Sequence, residues 1–316
     1  SHDYGMQVER TGNNLLCRTP HFSTSRPTIL LNAHIDTVKP VSAWQRNPYT
    51  PTREGNRLYG IGSNDDGASL VSLLQTFRTL YHTPLPCNLL FLASAEEEVS
   101  GHEGIEQMIP LLPHIDVAIV GEPTGMQPAI AEKGLMVLDV TEHGKAGHAA
   151  RDEGDNAIYH ALDDMQRIRN REWEKVSPLL GKVKTTITIV NAGTQHNVIP
   201  DQCTFTIDVR SNELYSNQEL FQLISKEIHG EVKARSFRLN SSHIPTHHPL
   251  VQSLISMGKV PFGSPTLSDQ ALMPFPSLKM GPGESSRSHT ADEYIEITEI
   301  ADAISTYTNL LQNISL

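Results

Sequence analysis

The sequence predicts an α/β fold: a mostly parallel sheet flanked by helices, with a smaller α+β unit inserted into it. Three observations carry this expectation. Apolar strand-like runs alternate with helix-like runs through the first part of the chain. Near Lys133-Gly134 the pattern changes to short alternating strands in the order β-α-β-β-α-β, the ferredoxin-like order. Five segments also place His, Asp or Glu at the end of an apolar run, where open α/β sheets build their sites.

Each element has its own signal. Residues 28–32 form a buried-type strand, and residues 66–80 (DGASLVSLLQTFRTL) carry apolar positions at helical spacing after an Asp pair. Asp66 reads best as the N-cap of that helix. Residues 88–94 predict a second strand, 105–112 a short helix and 117–120 a third strand. Beyond residue 134, residues 135–141 alternate as a strand does, a Gly-rich turn follows, and 156–169 predict a helix. Two period-2 strands (185–192 and 203–210), a helix (217–228) and a last alternating strand (231–240) complete the insert. From about Ser242 the α/β pattern resumes, and it ends in a helix over 298–312.

Composition narrows the function. The 316 residues allow one large domain or two smaller ones, and 38 % hydrophobic content supports a real core. A net charge of −11 with dispersed Lys and Arg argues against nucleic acid and anionic membrane as partners. No apolar run reaches the roughly 18 residues a membrane helix needs. The opening SHDYGMQVER is polar, has no signal-peptide core and lacks a starting Met, so the expectation is a trimmed start. Cys17, Cys87 and Cys203 are too few and too scattered for a disulfide framework, which suits a reducing cytoplasm.

The chemistry lies at the strand ends. His34 and Asp36 form an H-x-D pair whose side chains share a face of an extended segment, so the carboxylate can orient the imidazole. Asp65 follows a Gly-rich loop, and one carboxylate can bridge two cations. Glu96-Glu97-Glu98 abuts a buried strand, so its repulsion needs positive charge to offset it. Neighbours in such a triplet diverge in role, one binding metal and the next facing substrate. Glu122 ends a strand in VGEPTG, and His289 follows the glycine-rich GPGESSRS.

Together, HIDTVKP, the Asp65-Asp66 pair, AEEE, VGEPTG and GPGESSRSH resemble, in order, the motifs of the M20 family of zinc-dependent aminoacylases and exopeptidases. That group includes acetylornithine deacetylase, succinyl-diaminopimelate desuccinylase and carboxypeptidase G2, and the resemblance runs over essentially the whole chain. It implies a zinc-exopeptidase-like catalytic domain over 1–134 and 243–316 and a lid and dimerisation domain over 135–242. It implies two Zn²⁺, with Co²⁺ or Mn²⁺ as substitutes. His34, Asp65 and Glu122 would hold one ion, and Asp65, Glu98 and His289 the other. Asp36 would orient His34, and Glu97 would be the general base.

In the lid, His148 of GKAGHAA matches a His that reaches a partner's active site. Asn197 and Arg210 match substrate contacts, and Gly281 and Gly283 lie in a matching carboxylate-binding loop. The chain departs from the family pattern by inserting Lys39, by reading DDGAS where a Lys is usual, and by a shorter N-terminal segment. The implied reaction is hydrolysis of an N-acyl-L-amino acid by a cytoplasmic homodimer. VGEPTG looks closest to acetylornithine deacetylases, so acetyl- or succinyl-ornithine or a citrulline analogue, in arginine synthesis, is favoured. Succinyl-diaminopimelate desuccinylase and a dipeptidase are the alternatives. A non-catalytic amino-acid-binding protein on this scaffold would lack a ligand or the base, and none is missing.

Overall fold

A computed structural model describes residues 5–316; residues 1–4, part of the polar opening read above, lie outside the described residues. In chain order the main elements begin with β1 (Val8–Thr11), β2 (Asn14–Arg18), β3 (Thr28–His34), α1 (Gly67–Leu80), β4 (Asn88–Ser94), β5 (Val117–Val120) and β6 (Ala129–Glu132). There follow β7 (Met136–His143), α2 (Ala157–Asn170), β8 (Lys184–Ala192), β9 (Gln202–Arg210), α3 (Asn217–Ser225) and β10 (Glu231–Ala234). The last are α4 (Pro249–Ser256), β11 (Ser277–Lys279) and α5 (Ile297–Asn313). They fall into two compact units. The first holds the chain up to Ile130 with His243–Phe262 and Ser268–Leu316, and the second holds Ala131–Ser242 with Gly263–Leu267.

The sheet of the first unit runs β1-β2-β4-β3-β5-β11-β6. Its middle is parallel: β4, β3, β5 and β11 all run the same way. The flanks are antiparallel, with β2 on β4 and β6 on β11. The sheet is therefore mixed around a parallel centre, and the sequence reading missed the β1–β2 hairpin. That hairpin is short, and its Val8 and Leu15 are exposed, so its alternation gives little signal. The central strands are apolar throughout because both faces are covered. One face sets Leu31, Phe91, Ile119 and Leu278 against Phe77 of α1 and Tyr307 of α5. The other buries Leu30, Leu90, Leu92 and Ala118. Each such leucine contributes about 1.5–3 kcal/mol by leaving water. The register pairs His34 with Ser94 and Asn32 with Val120, so β3 and β4 end level and β5 ends two residues earlier, which sets Glu122 beside the end of β3.

The expected cap at Asp66 is corrected by the structure. Asp66 occupies the N-cap position of α1 but makes no side-chain cap bond. Its carboxyl is buried instead, and burial pushes it up to about 7. A carboxylate turned inward cannot reach the N–H groups of the first helical turn.

The second unit is a four-stranded antiparallel sheet, β8-β9-β7-β10, with α2 and α3 in its core. That is the ferredoxin-like order. Leu138, Val140, Phe205 and Ile207 of the sheet pack with Ala157, Ala161 and Ile168 of α2 and Leu220 and Ile224 of α3. Asn156 caps α2, and Ser216 with Glu219 forms a capping box on α3. Two boundaries differ from expectation. Helix α3 ends at Ser225, and β10 ends at Ala234. After Arg235 N bonds Val137 O, the chain bends away, and Leu239 returns to accept the N–H of Leu135. A bulged excursion thus interrupts what the sequence shows as one alternating run. No helix among the described residues is long and apolar enough to cross a membrane.

Candidate metal centre

Parallel strands deliver the residues that follow them to one edge. His34 is the last residue of β3, Glu96-Glu97-Glu98 follows β4, Glu122 follows β5, and the loop after β11 leads to His289. Asp65 joins them from the loop that enters α1, and the Asp65–Asp66 peptide is cis. His34 Nε2 stands 3.2 Å from Asp65 Oδ1, and His289 Nε2 stands 3.7 Å from Asp65 Oδ2. Asp65 therefore offers one oxygen to each imidazole. His289 Nε2 also lies 3.1 Å from Glu98 Oε2, and His34 Nε2 lies 3.9 Å from Glu97 Oε2. Two sets of donors lie close enough together to hold an ion: His34, Asp65 and Glu98, and His34, Glu97 and Glu122.

The triplet divides as its crowding requires. Glu96 has a left-handed backbone (φ 60) and turns its Oε2 to accept the N–H of Glu103 at 3.0 Å. Glu97 and Glu98 stay in the cluster. Asp36 holds them there by accepting the N–H of Glu97 and of Glu98, each at 3.2 Å. Its relation to His34 is less direct than the H-x-D spacing implies. His34 Nδ1 lies 3.0 Å from the main-chain oxygen of Asp36 and 3.6 Å from its carboxylate. Both contacts favour a proton on Nδ1 and leave Nε2 facing the cluster.

The electrostatics describe a site short of positive charge. Burial pushes Glu97 well above the usual carboxylate range; His34 opposes that, while Asp269, Glu98 and Asp65 add to it. Glu122 is also held well above, by burial first; Lys279 opposes this, and Asp65 and Glu97 reinforce it. Glu98 is raised by burial and then by Asp65. Burial alone would depress His34, yet Asp36 and Asp65 hold it well above its ordinary value. One buried oxygen of Glu98, Oε1, has no hydrogen-bond partner. Crowded carboxylates, two imidazoles and an orphaned buried oxygen fit divalent cations, which bring charge and use free lone pairs.

The glycine loop is built by close packing. A Cβ on Gly281 would sit 2.3 Å from Ser69 Oγ, and one on Gly283 would sit 2.2 Å from Asn64 Oδ1. The Gly281 N–H already donates to Thr124 Oγ1 at 3.1 Å.

In the second unit, His148 lies exposed on a two-stranded ribbon, Gly147–His148 with Val198–Ile199. The N–H of Ala149 bonds Asn197 O at 3.0 Å, so these two predicted residues share one loop cluster. Arg210 ends β9 and grips Asp208 with two hydrogen bonds of 2.8 and 3.1 Å.

Sequence reasoning missed three buried charged residues around the centre: Asp269, Lys279 and Glu293. Asp269 accepts Ser94 Oγ–H at 2.6 Å, and burial raises it to about 6. Lys279 carries a readable signal, since a Lys inside the apolar run PSLKM must be paired when buried.

Comparison with known proteins agrees with this geometry. The profile of Peptidase family M20/M25/M40 matches residues 30–313, and the chain belongs to that family. It is a metal-dependent hydrolase of amide bonds. Acetylornithine deacetylase of Pectobacterium carotovorum is 30% identical over 290 residues, covering 85% of this chain and 75% of that protein. Aminopeptidase PepT of Bacillus cereus shares the fold, with a TM-score of 0.78 at 19% identity over 98% of this chain and 89% of that one. A dinuclear metal binding peptidase of the M20 family from Bacillus subtilis superposes with a TM-score of 0.73 at 16% identity, covering 98% and 88%.

Proposed function

We propose that the chain removes the acyl group from an N-acyl-L-amino acid, acetyl- or succinyl-ornithine or a citrulline analogue, in arginine synthesis. The observation that carries the paired centre is Asp65, whose two oxygens face His34 and His289 separately. By the family resemblance His34, Asp65 and Glu122 would hold one Zn²⁺, and Asp65, Glu98 and His289 the other, with Co²⁺ or Mn²⁺ able to substitute; the close donor sets place Glu97 beside His34 and Glu122, within reach of the same centre. Such a pair supplies Lewis acidity to the amide carbonyl and lowers the pKa of an attacking water.

The protein's own residues do the rest. Glu97 accepts the water's proton at a carboxylate oxygen as attack proceeds, then gives it to the departing amine. In this reading the second unit is the lid, and the chain works as a homodimer. The strand β8 is an open edge with Ile189 and Val190 half exposed, and Tyr159 and Leu162 of α2 are exposed as well. The partner's His148 would then donate to the developing oxyanion. Asn197 and Arg210 would contact the substrate, with Arg210 and the loop of Gly281 and Gly283 meeting its anionic end. Three free, buried cysteines favour a reducing cytoplasm.

The names of the curated relatives favour the ornithine branch. The test is amine release from acetylornithine, succinylornithine, acetylcitrulline and succinyl-diaminopimelate, with and without a chelator. One substrate should be cleaved strongly, and chelation should silence it. Cation-loaded protein that cleaves none of the four overturns this substrate reading.

A further inference from the structure

Glu293 is buried, and its carboxylate accepts three backbone N–H groups from a single loop. Gly62 N donates to Oε2 at 3.0 Å, and Asn64 N and Asp65 N donate to Oε1 at 2.9 and 2.8 Å. The gripped loop carries Asp65, and Glu293 itself follows His289 in the same short segment. One side chain thus ties together the stretches that present two donors standing 3.7 Å apart. Asn64 adds a second tie: its Nδ2 donates to Glu284 O and Ser288 Oγ, each at 3.1 Å.

The neighbouring Asp292 holds a different stretch. Its Oδ1 accepts Gln45 N at 3.2 Å and Arg46 N at 3.0 Å. The backbone is left-handed at His289 (φ 59) and at Asp292 (φ 53), a region few L-residues adopt unaided. The loop keeps this shape because it is held at both sites.

We infer that Glu293 is a positioning residue that sets the spacing of Asp65 and His289 and so fixes the affinity for the second of two cations. The inference rests on the paired-cation reading above. A bridging carboxylate must place each oxygen within a few tenths of an ångström to satisfy two ions. Three N–H bonds to one buried carboxylate leave residues 62–65 no slack. Without them Asp65 is free to serve His34 alone, and the ion at Glu98 and His289 loses a ligand.

The experiment is a calorimetric titration of metal-free protein with Zn²⁺, repeated with Co²⁺ while its visible absorption is followed. Glu293→Asp keeps the charge but retracts the carboxylate by one methylene. Asp292→Asn removes one charge from the same loop but keeps the Oδ1 acceptor. Wild type should bind two ions. Glu293→Asp should bind the first normally and the second about 10–100-fold more weakly, the usual cost of losing an outer-shell partner. Asp292→Asn should match wild type. Thermal melting of the metal-free variants controls for folding, and Glu293→Gln replaces Glu293→Asp if the latter does not fold. Wild-type affinity for both ions in the Glu293 variant overturns the inference. So does an equal loss in Asp292→Asn, which would make the effect a general disturbance of the loop rather than the loss of the Glu293 contacts. A wild type that binds one ion overturns the paired centre itself, and the inference falls with it.

Discussion

Glu97 and Glu98 are chain neighbours with opposite assignments. Glu98 Oε2 touches His289, whereas the nearest imidazole nitrogen to Glu97 is 3.9 Å away. Glu97→Gln should therefore keep both ions and lose about 10²–10⁴-fold in turnover, the range for a general base. Metal analysis and steady-state rates on one preparation check this, and near-normal turnover would remove Glu97 from the role. The strand-end residues were legible only as an ordered set that resembles the family's motifs, because each taken alone reads as an ordinary surface or turn residue. Glu293 and Asp269 were not, because an acid in a polar loop reads as an exposed one. Only the fold reveals that three N–H groups converge on Glu293. Asp66 misled for the same reason, since cap and buried acid look identical in sequence.

At the scale of elements, β7 and α2 each bury an acid in the same core. Glu142 is buried on β7, and Asp164 is buried on α2. The Asp164 carboxylate accepts Arg167 Nη1–H at 2.8 Å and His229 N–H at 2.6 Å. Burial, then the hydrogen bond and charge of Asp164, raise Glu142 from its ordinary 4.5 to about 7. A raised acid pKa stabilises the fold fully below about 4.5, where both states are protonated. Between 4.5 and 7 the folded chain keeps a proton that the unfolded chain releases, so stability falls as pH rises. Glu142→Gln should remove this dependence and be about 1–2 kcal/mol more stable than wild type at pH 8 than the same comparison gives at pH 5. Denaturant melts at both values test it; an equal difference at pH 5 and pH 8 would refute the raised Glu142 carboxyl. The elements themselves were largely readable, because β3, β4 and β5 are continuous apolar runs and β7 and β9 alternate cleanly. The break in β10 was not, because a bulge changes hydrogen bonding without changing alternation.

At the scale of the whole molecule, the proposal needs two chains for each active site. Co-expressing His148→Ala and Glu97→Ala chains should give mixed dimers in which one site of two has both groups. Random pairing then restores about a quarter of wild-type activity, from two inactive parents. Activity no higher than either parent alone would mean that His148 does not act across subunits.

The discontinuity of the first unit bears on how the chain is made. Strand β5 is flanked by β3, already synthesised, and by β11, which lies beyond the entire insert. At about 5–20 residues per second, a ribosome takes on the order of ten seconds to deliver residues 131–242. Throughout that interval Val117–Val120, wholly apolar, is the unpaired margin of a growing sheet. The insert can fold locally while its host waits, and His289 emerges later still. A nascent chain thus presents this apolar margin before it can hold a full set of ligands.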